Sequence, residues 1–120
     1  MREEEIHLLI FHGETLDVEF KGEEKQSLND TDLVEAVVCL ANRSGNQPGY
    51  LLVGVEDDGR ITGARPRHPG GKTDPLQVQA LIANRTRPSL TCQVKEIPID
   101  GLPVLAIRVS PPAANRNYRR

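Results

Sequence analysis

The stretch Tyr50–Gly59 reads YLLVGVEDDG, and it decides how the chain folds. Its first part, Tyr50–Val55, is apolar on both faces of an extended backbone, which predicts a central strand covered on both sides. The acids and glycine that follow, Glu56–Gly59, predict that the strand ends in a turn. Gly54 has no side chain, so it leaves room beside the strand for a ligand or for another backbone.

The segments before this strand predict a helix-and-strand entry to the sheet. Residues 1–11 fit an N-terminal arm or a short helix. Leu16–Lys21 alternates strictly between apolar and polar residues, which is typical of a half-buried strand. A longer helix is predicted from Asp32, where Glu35 completes a capping box, to a terminating glycine at Gly45.

The segments after the central strand predict a second helix and a hairpin. Asp74-Pro75 supplies an N-cap and a first-turn proline, so a helix is predicted to begin there. Leu90–Ile99 and Leu102–Val109 alternate in part and flank Asp100-Gly101, a strong signal for a two-residue hairpin turn.

The predicted fold class is α+β, with one domain at residues 12–110. It has a mixed, mostly antiparallel sheet, two main helices and a C-terminal hairpin. A short paired strand is predicted at 60–63, and the Pro- and Gly-containing segment 64–73 is expected to be a mobile loop. Residues 111–120 are expected to be a disordered tail or linker.

The composition is that of one globular domain without a membrane or secretion signal. The chain has 120 residues, and its longest apolar run is far shorter than the roughly 20 residues that a membrane helix needs. We therefore expect a cytoplasmic protein with no membrane partner. Cys39 and Cys92 lie in apolar segments without metal-ligand spacing, so both are expected to be buried thiols.

Charge is divided unevenly along the chain. Residues 1–35 carry eleven acids and three bases, a net charge of −8, whereas residues 60–120 carry three acids and eleven bases, a net charge of +8. This asymmetry indicates a polyanionic partner, unless the two halves neutralise each other in the fold. The candidate cations are Arg60, Arg65, Arg67, His68, Lys72, Arg85 and Arg87, with Arg116, Arg119 and Arg120 in the tail.

These cations predict backbone recognition rather than base recognition, if they share one face. They would then neutralise phosphates in a salt-dependent and largely sequence-independent way. The alternative is an ordinary solvated surface of loops and helices. Aromatic residues make up only 3% of the chain, so stacking on single-stranded bases fits poorly. Duplex DNA or structured RNA fits better.

Two groups of charged residues are candidates for metal or phosphate chemistry. Glu19 and Lys21 share the polar face of the first strand, where a carboxylate suits a divalent ion and an ammonium suits a phosphate. The alternative is a solvated strand face with an ion pair. Glu56, Asp57 and Asp58 follow the central strand and offer the oxygen ligands that Mg²⁺ or Mn²⁺ prefers, or else they form a β-turn.

Three motifs resemble the Schlafen AlbA-like domain family. Glu14–Lys21 reads ETLDVEFK and looks like its E-S-x-x-x-E-F-K opening, while Leu40–Gly45 reads LANRSG and looks like its A-N-T-x-G-G helix end. Tyr50–Gly59 looks like its L-L-I-G-V-D-D-x-G strand and turn, and Gly63 fits a further glycine. The resemblance extends over roughly residues 12–110.

The resemblance implies two kinds of activity. Bacterial members look like transcriptional regulators with DNA-binding or divergent ATPase-related domains, whereas a related animal fold cuts structured RNA with three acids and a divalent metal. By position, those acids would be Glu14, Glu19 and Glu56, with Asp57 beside them and Lys21 on the phosphate. Mg²⁺ or Mn²⁺ would then be the cofactor.

Geometry restricts this assignment. Glu14 and Glu19 are five residues apart and would face opposite sides of one straight strand, so both reach one metal only if His12–Glu14 forms a turn. Gly13 permits that turn. The chain also departs from the family pattern, since Glu56 stands at the usual Asp and Arg43 at the usual Thr. Residues 46–48 are inserted between two family glycines.

Three functions follow, in order of preference. The first is a nucleic-acid-binding module of a transcriptional regulator, without catalysis. It is expected to act as a homodimer, because one small sheet offers limited contact area. The second is a metal-dependent endoribonuclease, and the third is a protein-interaction or nucleotide-sensing module. Gly71-Lys72-Thr73 imitates a Walker A loop, but Pro66 stands where its first glycine is required, so nucleotide binding there is not expected.

Overall fold

The computed structural model describes residues 1–43, 45–110 and 117–120. In chain order the elements are α1 (Glu3–His12), β1 (Val18–Lys21), α2 (Asp30–Arg43), β2 (Gly49–Val53), α3 (Pro75–Asn84), β3 (Gln93–Ile99) and β4 (Leu102–Val109). This is the predicted order with one exception. Residues 60–63 form no strand and contribute only an isolated antiparallel bridge between Val55 and Ile61.

The four strands form one mixed sheet in the order β1-β2-β4-β3. β1 and β2 run parallel, because α2 crosses over between them, and the other two pairings are antiparallel. The α+β class and the mostly antiparallel sheet are therefore confirmed. Among the described residues, no helix has both the length and the apolar composition needed to cross a bilayer.

The sheet has a hydrophobic core on each face. Leu51 and Val53 of β2 point to the face covered by α2 and α3, while Tyr50 and Leu52 point to the face covered by α1. All five residues of β2 are buried. The prediction of a central strand covered on both sides is confirmed.

The longer helix, α2, starts two residues before the predicted position. The side chain of Asn29 accepts a hydrogen bond from the Asp32 backbone N–H at 2.7 Å, and its carbonyl accepts from the Leu33 N–H at 3.0 Å. Asn29 therefore caps the helix in place of the predicted Asp32, since an asparagine oxygen satisfies the same unpaired N–H groups. The helix ends at Arg43, close to the predicted Gly45.

The second helix and the hairpin form as predicted. Asp74 caps α3 by accepting from the Leu76 N–H at 3.0 Å, and Pro75 is its first residue. In the turn between β3 and β4, Asp100 has a φ of 51° and Gly101 a φ of 80°. Positive values at both central residues are those of the type I′ turn that matches strand twist.

The sequence left open whether Gly54 leaves room for a ligand or for another backbone. In the structure it leaves room for another backbone. Its φ is +102°, and a Cβ at this position would lie 2.5 Å from the Ala64 nitrogen. Its carbonyl accepts hydrogen bonds from the N–H groups of Thr62 and Gly63, both at 3.0 Å. The chain after β2 is thereby folded tightly back onto the end of that strand.

The segment 64–73 is fastened to the domain and is not the free loop that was expected. The Ala64 N–H donates to the Pro103 carbonyl at 2.7 Å, and the His68 N–H donates to the Lys72 carbonyl at 2.9 Å. The Arg67 N–H donates to the Thr73 hydroxyl at 3.1 Å. Its prolines and glycines shape defined turns here.

Two further expectations differ from the structure. Cys92 is buried, and burial raises the pKa of its thiol to about 12, but Cys39 is exposed on α2. Residues 117–120, which the sequence assigned to a disordered tail, lie against the domain, where Arg119 forms an antiparallel bridge with Arg87. The rest of the predicted tail, residues 111–116, lies outside the described residues.

Candidate nucleic-acid interface

Glu19 and Lys21 lie on the edge strand β1, on the face that α2 covers. They stand beside Leu51 and Val53 of β2, and both are partly exposed. The Glu19 carboxylate is 3.8 Å from the guanidinium of Arg43, which also donates to the Leu16 carbonyl at 2.9 Å. Glu19 therefore has a cation of its own at the end of α2.

Glu56 is positioned at the opposite end of β1 from Glu14. Its carboxylate accepts hydrogen bonds from the Thr62 hydroxyl at 2.6 Å and from the Glu24 N–H at 3.3 Å. It also packs directly over Gly22, where a Cβ would overlap it. Gly22 is three residues beyond Glu19, or roughly 10 Å of extended strand.

The structure does not bring the predicted acids together as a metal site. Gly13, with a φ of 85°, is the C-cap of α1, and Glu14 beyond it is exposed, as is Asp57. Across the described residues, which include all four of these acids, no three His, Cys, Asp or Glu side chains are grouped so that they could hold a metal ion. The donor set therefore does not fit the Mg²⁺ or Mn²⁺ that the resemblance implies.

Two of the predicted cations, Arg60 and Arg67, are neutralised by acids of the first half of the chain. Arg60 pairs with Asp58 at 2.8 Å and with Glu24 at 3.4 Å. Its hydrogen bond to the Asp58 carboxylate lowers the pKa of that group. Arg67 is 3.7 Å from Glu23 and 2.8 Å from Asp30, and its side chain is only 10% exposed.

Arg65 is also used structurally. Its guanidinium donates to the backbone carbonyls of Glu23 at 2.7 Å and Glu24 at 3.0 Å. For Arg60 and Arg67, mutual neutralisation of the two halves describes the structure, and at all three arginines a phosphate would have to compete with existing partners.

The centre of this network is Glu23, a residue that the sequence analysis did not single out. Its side chain is 1% exposed and accepts hydrogen bonds from the Leu28 N–H at 2.6 Å and the Arg65 N–H at 2.7 Å. A buried carboxylate needs such partners to offset the loss of water. Nothing in the local sequence distinguishes Glu23 from its exposed neighbour Glu24, because the donors come from other segments.

His68 and Lys72 close a turn in the same segment. The Nδ1 atom of His68 accepts a hydrogen bond from the Asp74 N–H at 2.8 Å, which assigns the ring a structural role before α3. Lys72 is exposed. Within the described residues, its ammonium has no carboxylate within 4.0 Å.

The remaining arginines define a separate cationic cleft at the C-terminal end of α3. Arg85, Arg87 and Arg120 line a cavity of about 350 Å³ together with Thr31, Val34 and Asn84. Arg119 lies beside them, since its backbone exchanges hydrogen bonds with that of Arg87 at 2.7 and 2.9 Å. We call Arg85, Arg87, Arg119 and Arg120 the arginine cleft.

The arginine cleft has little internal neutralisation. In the described part of the chain, Glu35 is its single ion-pair partner, 3.6 Å from Arg120. Arg87 donates to the Thr86 carbonyl at 2.9 Å, but all four arginines are exposed. The predicted basic set is thus divided into Arg60, Arg65 and Arg67, which have partners near Glu23 and Glu24, the pair His68 and Lys72 in a turn, and an exposed group at the cleft. Arg116 lies outside the described residues.

The family model described as Schlafen, AlbA_2 matches residues 14–120. The chain belongs to the Schlafen AlbA_2 family. The match begins at Glu14, the first residue of the opening motif, and reaches the end of the segment that completes the arginine cleft. A search of the curated proteins finds no match.

Solved structures share the fold of this Schlafen AlbA_2 domain. The crystal structure of the DIP2311 protein from Corynebacterium diphtheriae is 24% identical with a TM-score of 0.61, and the alignment covers 91% of this chain but 25% of that protein. The chain thus spans about a quarter of that relative.

A second similar structure is the solution structure of an N-terminal domain from Nitrosomonas europaea. It belongs to a protein named as related to the ATP-dependent DNA helicase RecG. It is 24% identical with a TM-score of 0.55, and the alignment covers 90% of this chain and 69% of that domain. At this level of identity, both similarities show the fold.

Proposed function

We propose that this Schlafen AlbA_2 domain binds the phosphate backbone of nucleic acid through the arginine cleft. The observation that supports this most directly is the cleft itself, in which Arg85, Arg87 and Arg120 share one cavity of about 350 Å³. A guanidinium donates two parallel hydrogen bonds to phosphate and stays charged at any physiological pH. Several of them on one concave surface suit a polyanion.

The same surface favours duplex DNA or structured RNA over single strands. The chain has only two Phe and two Tyr, and Phe11 lies on α1, across the sheet from the cleft. Recognition would then depend on phosphate contacts, which fix the position of the protein on the nucleic acid but do not read the base sequence. The fold shared with a protein named after a DNA helicase is consistent with this proposal.

The setting in a transcriptional regulator is part of the proposal. The domain spans about a quarter of the DIP2311 protein, as expected for one module of a longer polypeptide. We also retain the homodimer, because two copies would double the number of arginines facing one duplex. Light scattering during size exclusion measures the oligomeric state directly, and a monomer at micromolar concentration would contradict the proposed homodimer.

The two other functions have less support in the geometry. A metal-dependent endonuclease needs Glu14, Glu19 and Glu56 around one ion, whereas Glu19 is engaged by Arg43 and Glu56 by Thr62. A protein-interaction or nucleotide-sensing module predicts no retention on nucleic acid at low salt. Both are outcomes of the experiment below.

The experiment measures fluorescence anisotropy with duplex DNA and with a structured RNA across a salt series. Each phosphate contact contributes about −0.9 to the slope of log K against log salt concentration, so four arginines give a slope of about −3.6. Between about 50 and 200 mM salt, affinity would then fall roughly 150-fold. Parallel gels with and without Mn²⁺ show whether the RNA is cut, with Glu19→Ala as the control for catalysis.

Two matched double variants locate the surface. Arg85→Ala with Arg87→Ala removes two cations from the cleft, and the slope should become shallower by about 1.8. Arg60→Ala with Lys72→Ala removes two cations that lie outside the cleft, and the slope should stay near that of the wild type. Equal effects of the two double variants would refute the assignment to the cleft.

A further inference from the structure

The last four residues supply half of the arginine cleft, and one amide side chain pairs with the backbone at the start of this segment. Asn42, in the last turn of α2, donates from Nδ2 to the Tyr118 carbonyl at 2.9 Å and accepts at Oδ1 from the Tyr118 N–H at 2.8 Å. An asparagine amide can pair with both backbone groups of one residue at once, because it carries a donor and an acceptor side by side.

The attachment continues at the Tyr118 ring and in the residues after it. Its ring packs against the core between the sheet and α2. The next residue, Arg119, forms the two-way backbone bridge with Arg87, and the side chain of Arg120 reaches Glu35. Asn42 thus lies at the start of a run of contacts that ends in the cleft.

We infer that Asn42 is a positioning residue for the cleft, acting on the polyanion through residues 117–120. This rests on the proposed function. The Asn42 amide is uncharged and both of its ends are paired with the Tyr118 backbone, so we assign its influence to the neighbouring Arg119 and Arg120. Asn42 also lies in the LANRSG motif that marks the family resemblance, where a role at the helix end was all that the sequence indicated.

The size of the effect follows from the two cations that Asn42 holds. If both lose their phosphate contacts, the slope of log K against log salt concentration becomes shallower by about 1.8. If wild type and Asn42→Ala bind equally at about 1 M salt, the variant then binds up to roughly 60-fold more weakly than the wild type at about 0.1 M salt. Asn42 is exposed, so its removal leaves the core packing of α2 in place.

The test is a double-mutant cycle in binding to duplex DNA. Its members are the wild type, Asn42→Ala, the pair Arg119→Ala with Arg120→Ala, and the combination of all three changes. We expect Asn42→Ala to weaken binding and flatten the salt slope. We also expect the combined variant to bind no more weakly than the arginine pair, because the segment then has no cations left to position.

A second measurement reports on the segment without any ligand. Amide hydrogen exchange at Arg87 and Arg119 should accelerate in Asn42→Ala, because the bridge between them loses its neighbouring support. Unchanged binding and exchange in Asn42→Ala would overturn the inference while the proposed function stands. Additive losses in the cycle would overturn it too, since Asn42 would then act elsewhere. Absence of binding by the wild type itself would overturn the proposed function and this inference with it.

Discussion

Replacing Glu23 with alanine tests whether one buried carboxylate joins the two loops beside the sheet. Its oxygens accept from the Leu28 N–H at 2.6 Å and the Arg65 N–H at 2.7 Å, and the Arg67 guanidinium lies 3.7 Å away. Leu28 leads into α2, whereas Arg65 and Arg67 follow β2. The carboxylate therefore holds together segments some forty residues apart.

The expected loss of stability can be worked out from these contacts. Glu23→Ala leaves two backbone N–H groups without their acceptor, at about 1–3 kcal/mol each. Arg67 keeps Asp30 at 2.8 Å, so its charge stays partly compensated. We expect a total loss of about 3–5 kcal/mol, a large share of the roughly 5–15 kcal/mol typical of a domain. Glu23→Gln keeps one acceptor oxygen and should lose about half as much.

Urea unfolding followed by far-ultraviolet circular dichroism measures this loss, since the chain has no tryptophan. With a slope of about 2 kcal/mol per molar urea, the midpoint of Glu23→Ala should fall by roughly 1.5–2.5 M. The matched control is Glu24→Ala, whose exposed side chain pairs with Arg60 at 3.4 Å and should cost less than about 1 kcal/mol. Equal midpoints for the two alanine variants would refute the reasoning.

Three further outcomes follow from the structure. Gly54→Ala should lose at least about 2 kcal/mol in urea unfolding, because its φ of +102° is strained for alanine and the added Cβ meets backbone. A thiol reagent at pH 8 should modify Cys39 and spare Cys92, whose pKa is about 12, until denaturant exposes both. The hydrogen bond from Gln77, followed by backbone N–H bonds, lowers the pKa of Asp74. The stability that Asp74 adds should therefore be complete above its unfolded pKa of 3.8 and disappear as pH falls through the lower folded value, so that wild type and Asp74→Ala converge in acid urea titrations.

The elements that the sequence predicted are those whose signals are local. An Asp-Gly pair between alternating segments specifies its own turn, and an Asp-Pro pair specifies its own helix start, because cap and turn bonds join residues two to four positions apart. A strand that is apolar on both faces buries both of them only when other elements cover the sheet on each side. For this reason the sequence could identify β2 as a central strand.

The features that were missed depend on partners distant in sequence. Residues 60–63 were predicted to form a short paired strand, but the chain turns back at Gly54, and a single bridge forms there. The segment 64–73 carries every local mark of a mobile loop. It is ordered by acceptors in other segments, including Pro103 and Glu23, and composition does not report those acceptors.

The availability of charged side chains is the feature that the local sequence predicts least well, and this availability decides where the candidate site lies. Arg67 and Arg85 are equivalent in sequence, as cations in polar segments of the basic half. In the structure Arg67 is 10% exposed between two carboxylates, whereas Arg85 lines an open cleft. A net charge of +8 in one half of a chain therefore gives only an upper bound on the charge available to a ligand. The charge that remains available to a ligand depends on which acids the fold places near the arginines. Here acids lie close to the arginines that follow β2, whereas the arginine cleft has one ion-pair partner among the described residues.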